Sequence, residues 1–167
     1  MPHSPEANSE RLQNLTVGIR GANLDDLPVI VALEQSAPQA AHWTSDHYKA
    51  RIQSQPETAC FLVAEFGAKA GSGQLWGFLC ARIIAGEWEI ENVVVDPGLR
   101  HRGIGSQLIE SLIVKWKASG ASAILLEVRE SNVPARGLYE RHGFREVGRR
   151  ASYYQSPEET AVLYSLK

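Results

Sequence analysis

The sequence predicts an α/β domain with a mixed, mostly antiparallel sheet of about seven strands, flanked by about four helices. Apolar runs of strand length alternate with amphipathic runs of helix length. Several of the strand-like runs follow one another after short connections, which favours antiparallel pairing. The 167 residues show no repeat, low-complexity tract or linker, and they suffice for one domain with a sizeable core.

The elements can be placed in order along the chain. Residues 1–13 are rich in Ser, Pro, Glu and Asn and are expected to form a flexible tail, so the predicted domain covers 14–167. Strands are predicted over residues 15–20, 58–66, 75–84, 88–95, 123–129, 144–153 and 161–166. A first helix is predicted to begin at a cap on Asp25 or Asp26, to continue through Leu33 and Glu34, and to end before Pro38. Further helices are predicted over residues 45–54, 103–118 and 132–142, with Thr44, Ser45 or Asp46 as the cap of the second helix.

Composition and charge argue against several function classes. The 17 basic and 19 acidic side chains nearly cancel, so no overall charge indicates a nucleic-acid or anionic membrane partner. No apolar run has the length of a membrane span, and the first residues are polar rather than signal-like. Cys60 and Cys80 lie in apolar runs without C-x-x-C spacing, which indicates buried thiols in a reducing cytoplasm. The histidines have no metal-ligand spacing with these cysteines, so no metal is predicted.

The stretch over residues 89–116 is predicted to form a strand, a glycine-bearing turn and a helix. The free N–H groups and the positive dipole end of such a helix suit a phosphate or pyrophosphate. Gly103 and Gly105 allow an anion to approach the backbone closely. On the glycines alone, a tight connection that serves only packing is an equal alternative. The turn lacks the Gly-Lys-Ser/Thr ending of a Walker A loop and the third glycine of a dinucleotide-binding turn.

Two segments together resemble a known family. The run Val93-Val94-Val95-Asp96-Pro97, followed by Arg100-x-x-Gly103-x-Gly105, resembles the acetyl-CoA loop of the GNAT superfamily of N-acetyltransferases. A second set of residues in this chain resembles the second acetyl-CoA segment of that superfamily: Leu126-Glu127-Val128-Arg129 together with Ser131-Asn132, Ala135, Leu138-Tyr139 and Gly143-Phe144. In this combination the segments are most similar to the bacterial ribosomal-protein alanine N-acetyltransferases. The match runs from about residue 89 to residue 154 and is thin upstream.

The resemblance implies a GNAT fold, acetyl-CoA as co-substrate, and direct attack by a primary amine in a ternary complex. In such a reaction, a backbone N–H at the end of the strand over residues 92–95 can stabilise the charge that develops on the carbonyl oxygen. The implied acetyl-CoA contacts are Val93, Val94, Val95, Arg100, His101, Arg102, Gly103, Ile104, Gly105, Ser106, Asn132 and Tyr139.

Glu127 is the first candidate for the catalytic base. It stands in an apolar strand, where a partly desolvated carboxylate can hold a proton transiently. The alternative is a strand residue that is salt-bridged to Arg129 or Arg102. In the alanine acetyltransferases that the chain resembles, a glutamate in this Leu-Glu-Val-Arg context is the proton acceptor.

Tyr139 is the candidate acid, because the matching tyrosine of the family protonates the departing thiolate. An aromatic residue that only packs in the core is the alternative. Asn132 can cap the helix that carries Tyr139, and the resemblance adds a contact with the pantetheine arm of acetyl-CoA. These two roles of Asn132 are compatible.

Glu89 and Glu91 form a second pair of candidates on the strand ahead of the loop. They are two residues apart and therefore face the same side of the sheet. Many acetyltransferases outside the ribosomal type use a glutamate there, so either residue could be the base or select a cationic substrate. An exposed sheet edge is the alternative. An apolar residue is common at the position of Glu91 in the alanine acetyltransferases, and this departure keeps Glu91 beside Glu127 as a candidate base.

Aromatic residues complete the predicted acceptor site. Tyr153 and Tyr154 match a tyrosine pair that lines the peptide cleft of the ribosomal type, and Trp43 matches an aromatic in the loop between the first two helices. Each of them could instead belong to the core. The predicted acceptor contacts are Trp43, Glu89, Glu91, Tyr153 and Tyr154.

The sequence therefore predicts a cytoplasmic N-acetyltransferase that transfers an acetyl group from acetyl-CoA to a primary amine. The expected acceptor is the α-amine of a protein N-terminus, such as that of a ribosomal protein. A small-molecule amine or a lysine side chain is the first alternative, and a non-catalytic acyl-CoA-binding regulatory module is the second. The presence of both Glu127 and Tyr139 argues against the module.

Overall fold

One seven-stranded mixed sheet organises the protein, as seen in a computed structural model that describes residues 17–67 and 73–167. Its strands are β1 (Val17–Gly21), β2 (Ala59–Phe66), β3 (Gln74–Ile84), β4 (Glu87–Val95), β5 (Ala123–Arg129), β6 (Arg145–Tyr154) and β7 (Glu159–Leu166). They stand in the order β1-β2-β3-β4-β5-β7-β6, and among these neighbours only β4 and β5 run parallel. The mostly antiparallel sheet predicted from the sequence is confirmed, and the predicted tail at 1–13 lies outside the described residues.

Helices cover both faces of the sheet. In the described ranges they are α1 (Leu27–Gln35), α2 (Ser45–Gln53), α3 (Ile104–Ser119) and α4 (Val133–Arg141). The helices α3 and α4 pack on one face, where Leu108 and Leu112 are fully buried. The helices α1 and α2 pack on the other face, against Phe61 and Phe78. We call these the α3/α4 face and the α1/α2 face.

The helix starts show which capping predictions were right. Thr44 caps α2, because its Oγ1 accepts the N–H of His47 at 3.3 Å. The expected cap of the first helix was wrong, since the Asp26 side chain caps no N–H of α1. Asn23 instead caps a short 3₁₀ turn ahead of α1, and the Asp26 carboxylate accepts two hydrogen bonds from Arg20 at 2.7 and 2.8 Å. The Asp26 carboxylate therefore binds Arg20 of β1 instead of capping α1.

The two cysteines are buried free thiols on opposite faces of the sheet. Burial raises the pKa of Cys60 to about 11 and also raises the pKa of Cys80. Neither is a ready nucleophile, because the thiolate is the reactive form. Within residues 17–67 and 73–167, no three metal-ligating side chains come together, and no helix is long and apolar enough to cross a membrane.

Candidate active site

The parallel strands β4 and β5 separate at one end of the sheet. They pair from Glu87 opposite Ala123 to Ile90 opposite Leu126, and β5 then continues beside β7 alone. In this register Glu91 and Glu127 would form the next pair, so the two candidate bases stand where the strands part. Within the described residues, backbone groups of β4 that point into the gap have no strand to pair with on that side, and they are available to a ligand.

A β-bulge bends β4 at the same point. The register between β3 and β4 skips Glu91, which is therefore the extra residue. A bulge kinks its strand and increases the local twist. Glu91 and Asn92 consequently both contact α2: Arg51 donates to Glu91 at 2.7 and 2.8 Å, and the Asn92 amide donates to Tyr48 Oη at 2.8 Å.

The loop between β4 and α3 has the geometry of an anion cradle. His101 and Gly103 adopt left-handed backbone conformations, with φ of +62° and +78°. The N–H of Gln107 donates to the Gly103 carbonyl at 3.0 Å, so the N–H groups of residues 104–106 have no acceptor within the helix. These groups and the helix dipole suit a pyrophosphate. Arg100, His101 and Arg102 are exposed in the same loop and can add donors.

The two glycines of this loop serve different purposes. A Cβ atom on Gly103 would meet no atom within 4 Å, so this left-handed position faces open space and allows a ligand to approach. A Cβ atom on Gly105 would lie 3.2 Å from Cδ2 of Leu138 in α4. The packing alternative thus has support at Gly105, whose missing side chain lets α3 pack on α4. The approach of an anion to Gly105 stays a prediction.

Replacing Gly103 by Ala is expected to raise the acetyl-CoA dissociation constant by at least about tenfold, or roughly 1.4 kcal/mol. The added methyl group would occupy the open space and strain the left-handed backbone. Gly120→Ala is the matched control, because Gly120 ends the same helix with φ of +70° and also faces open space. Titration calorimetry should show normal affinity for the control. Equal weakening in both variants would assign the effect to strain in α3.

Two contacts at the helix ends support the cradle. Ser106 Oγ lies 3.1 Å from Nε2 of His142, which ties the first turn of α3 to the end of α4. Asn132 caps α4 by accepting the N–H of Ala135 at 3.3 Å, as the sequence predicted. Sequence reasoning missed His142, because nothing in its spacing indicates a contact 36 residues away.

Tyr139 lies on α4 and is buried on the α3/α4 face. Its ring meets that of Phe144 edge-on, with 5.7 Å between the centroids. Burial raises the pKa of Tyr139, and Tyr154 adds a smaller effect in the same direction. A phenol with a raised pKa keeps its proton at neutral pH. The core position and the role of proton donor are therefore compatible.

Glu127 projects from β5 and has two partners on the β6 strand. Arg150 Nη1 lies 2.8 Å from Glu127 Oε1, with the two side chains 54% and 22% exposed. The pKa of Tyr153 is raised, first by its side-chain interaction with this carboxylate and then by burial. Glu127 is therefore salt-bridged to an arginine, as the alternative predicted, but the partner is Arg150 and not Arg129 or Arg102.

Glu89 and Glu91 face the same side, as predicted, and arginines bind both of them. Arg82 donates to Glu89 at 2.6 and 2.9 Å, and Arg82 Nε lies 3.6 Å from Glu91. The Glu91 side chain is only 7% exposed and carries the bidentate pair with Arg51. An exposed sheet edge is therefore wrong for Glu91, because its side chain is buried against Arg51 of α2. Neither carboxylate is left unpaired to select a cation.

One pocket of about 300 Å³ joins these groups. It is lined by Arg82, Glu89, Glu127, Arg150 and Tyr153, among others, and we call it the paired-charge pocket. A larger cavity of about 610 Å³ lies at the opposite end of the sheet, by the C-terminal end of α3, and contains none of the predicted site residues. The smaller pocket is therefore the candidate acceptor site.

The other predicted aromatic of β6, Tyr154, is fixed against β5. The Arg129 guanidinium lies over its ring at 4.3 Å and pairs with Glu159 at 3.2 Å. Burial raises the pKa of Tyr154 to about 12, with Glu127 adding to the effect. These contacts hold the end of the β6–β7 hairpin beside Glu127.

Trp43 lies on the α1/α2 face, in the connection between α1 and α2. Its backbone N–H donates to the buried Glu34 carboxylate at 2.9 Å, and its ring lies 3.8 Å from that of His47. It does not line the paired-charge pocket. The structure thus brings Tyr153 to Glu127 and leaves Trp43 packed against α2.

Residues 28–144 match the sequence model of the acetyltransferase (GNAT) family. The ribosomal protein bS18-alanine N-acetyltransferase of Escherichia coli is 34% identical over 97 residues, which cover 57% of this chain and 66% of that enzyme. A Bacillus subtilis protein, to which the same activity is assigned without proof, is 28% identical over 145 residues. These residues cover 87% of this chain and 91% of that protein.

A solved structure shows the same arrangement. The crystal structure of the ribosomal-protein-S18-alanine N-acetyltransferase from Escherichia coli has a TM-score of 0.75 at 28% identity, covering 90% of this chain and 93% of that one. The seven-stranded mixed sheet agrees with this likeness in fold. The chain therefore belongs to the acetyltransferase (GNAT) family, and it is an acetyl-CoA-dependent N-acetyltransferase.

Proposed function

We propose that this enzyme acetylates the N-terminal α-amine of a cytoplasmic protein, with the N-terminal alanine of ribosomal protein bS18 as the candidate acceptor. The observation that carries the proposal is the position of Glu127. This carboxylate stands where β4 and β5 part, and it lines a pocket beside the β6–β7 hairpin. The choice of acceptor is supported by similarity to the Escherichia coli enzyme, which is a ribosomal protein bS18-alanine N-acetyltransferase.

In this proposal the loop and the end of β4 hold acetyl-CoA, which supplies the activated acetyl group. The N–H groups of 104–106, with Arg100, His101 and Arg102, bind its phosphates. The backbone of Val93–Val95 and the Asn132 side chain bind its pantetheine arm. The open space at Gly103 supports this assignment, because a Cβ atom there would intrude where the anion approaches.

Each remaining group has a step in the transfer. The acceptor amine attacks only in its neutral form, and Glu127 takes its proton directly or through one water molecule. A backbone N–H of β4 that points into the gap stabilises the negative charge that develops on the carbonyl oxygen of the acetyl group. Tyr139 keeps its proton because burial raises its pKa, and it donates that proton to the leaving sulfur.

The preference for an α-amine has a chemical basis. The reference pKa of an α-amino group is about 8, against roughly 10.4 for lysine. Near pH 7, about a tenth of α-amines but under a thousandth of lysines are neutral. The difference of about 2.5 units corresponds to roughly 3.4 kcal/mol. A pocket whose two glutamates, Glu89 and Glu127, are both paired with arginines offers little help to a strongly basic amine.

We expect a lysine-free peptide that begins with Ala to be acetylated at least about a hundredfold faster than the same peptide with a blocked N-terminus and one free lysine, as the difference in pKa requires. The measurement is the release of CoA with each peptide at one pH. The doubly blocked peptide gives the background. Equal or faster reaction at lysine, or at a small amine such as a polyamine, would contradict the proposed function.

A further inference from the structure

The acceptor site is rich in acidic residues but carries little free negative charge. The two glutamates that line it are each paired with an arginine, Glu127 with Arg150 and Glu89 with Arg82. Glu91, which lies 3.6 Å from Arg82, is paired with Arg51. A cationic acceptor therefore cannot be chosen by excess negative charge alone. Recognition must instead use the donors that the arginines present beside the carboxylates.

Arg150 differs from the other two arginines. Its partner Glu127 stands where the strands part, and its side chain is 54% exposed, against 24% for Arg51 and 37% for Arg82. It contacts Glu127 and Tyr153, whereas a guanidinium has five N–H donors in a planar fork. A carboxylate can accept about four hydrogen bonds, so Glu127 also has room for the acceptor amine beside Arg150 and Tyr153.

This pairing matches the shape of a protein N-terminus. In the first residue of a peptide, the amine nitrogen and the carbonyl oxygen lie about 3 Å apart, because only two carbon atoms separate them. The carboxylate of Glu127 and the guanidinium of Arg150 lie side by side at 2.8 Å, as an acceptor and a donor. A lysine side chain carries no carbonyl group next to its amine, so it can satisfy only half of the pair.

We propose that Arg150 determines specificity by recognising the first residue of the acceptor. Glu127 binds the α-amine, and Arg150 donates a hydrogen bond to the first carbonyl oxygen. The proposal rests on the proposed function and names the group that reads the N-terminus. It concerns the geometry of the acceptor, whereas the difference in amine pKa concerns its reactivity.

Two peptides and two variants test this inference. The first peptide begins with Ala and contains no lysine. In the second, an (E)-alkene replaces the first amide, which keeps the amine and the shape and removes the carbonyl oxygen. Arg150→Met removes the proposed donor. Arg149→Met is the matched control, because Arg149 is the adjacent residue, is similarly exposed and pairs with Glu130 and Glu146 instead.

We expect Arg150→Met to lower kcat/KM for the amide peptide by at least about tenfold, as loss of a hydrogen bond from a charged donor does. Its loss on the alkene peptide should be smaller by about tenfold or more, because no carbonyl oxygen is left to bind and any effect through Glu127 acts on both peptides alike. The altered amine pKa of the alkene peptide affects both enzymes equally and cancels in this comparison. Arg149→Met should match the wild type on both peptides.

Equal losses on both peptides would overturn the inference, because Arg150 would then only hold Glu127 in place. No loss on either peptide would overturn it as well. If thermal unfolding shows that Arg150→Met is less stable, Arg150→Lys and Arg150→Gln are measured on the same peptides, and the same two outcomes apply. Failure of the wild-type enzyme to acetylate the amide peptide contradicts the proposed function itself, which separates the two failures.

Discussion

Replacing Tyr139 by Phe is expected to lower the turnover number by about a hundredfold, the lower end of general-acid effects. The substitution keeps the ring in the core beside Phe144 and removes only the hydroxyl group. Without its proton, the sulfur must leave as a free thiolate, and the transfer step slows. The acetyl-CoA dissociation constant should stay nearly unchanged, because the loop that is proposed to hold the phosphates is not altered.

The size of the defect and thermal unfolding separate this role from packing, and the defect should not depend on pH. Burial raises the pKa of Tyr139 above its usual value of 10, so the wild-type enzyme keeps the donor protonated throughout the neutral and mildly alkaline range. The defect of Tyr139→Phe should therefore be the same at pH 7 and pH 9. Thermal unfolding checks that the core is intact. A turnover number within about twofold of the wild type would make Tyr139 a packing residue only.

The anion loop was predictable from the sequence because its signals are local. The valine run, the break at Asp96–Gly98 and the four-residue spacing of apolar side chains after Gly103 follow from strand and helix periodicity. Those signals lie within one stretch of chain, and the structure places each of them as expected. Gly105 is the exception, because its contact with Leu138 comes from an element 33 residues later, as the numbering shows.

The partners of the acidic residues were only partly predictable. Arg82 faces Glu89 because the two-residue turn between β3 and β4 fixes their register, so this pair could have been derived from the sequence. Arg51 reaches Glu91 across 40 residues, because α2 packs on the face of the sheet to which Glu91 points. Arg150 on β6 reaches Glu127 on β5 across β7, which lies between these two strands in the sheet. No local pattern encodes such contacts.

The surroundings of Glu91 and Glu127 distinguish these two candidates for the base. Glu91 and Glu127 occupy equivalent positions in the β4–β5 register. Arg51 binds Glu91 through both of its oxygens, and the pair is largely shielded from solvent. Glu127 has a single contact with an exposed arginine and lines the pocket. The carboxylate that can reach an acceptor and exchange its partner is therefore Glu127.

Replacing Glu127 by Gln is expected to lower kcat/KM at pH 7 by about a hundredfold or more, because the amide cannot take the amine proton. It should leave the acetyl-CoA dissociation constant unchanged. The remaining rate should rise with pH up to about 8, the reference pKa of an α-amino group, as the acceptor loses its proton to solvent. The measurement is kcat/KM for the Ala peptide between neutral and alkaline pH.

Glu91→Gln is the matched control on the other side of the gap. It breaks a shielded ion pair and leaves the Arg51 guanidinium without its carboxylate, so the melting temperature should fall. Because Glu127 remains in place, kcat/KM should fall much less than in Glu127→Gln, and the pH dependence should keep the wild-type form. A larger loss in Glu91→Gln, with Glu127→Gln near the wild type, would move the role of base to Glu91.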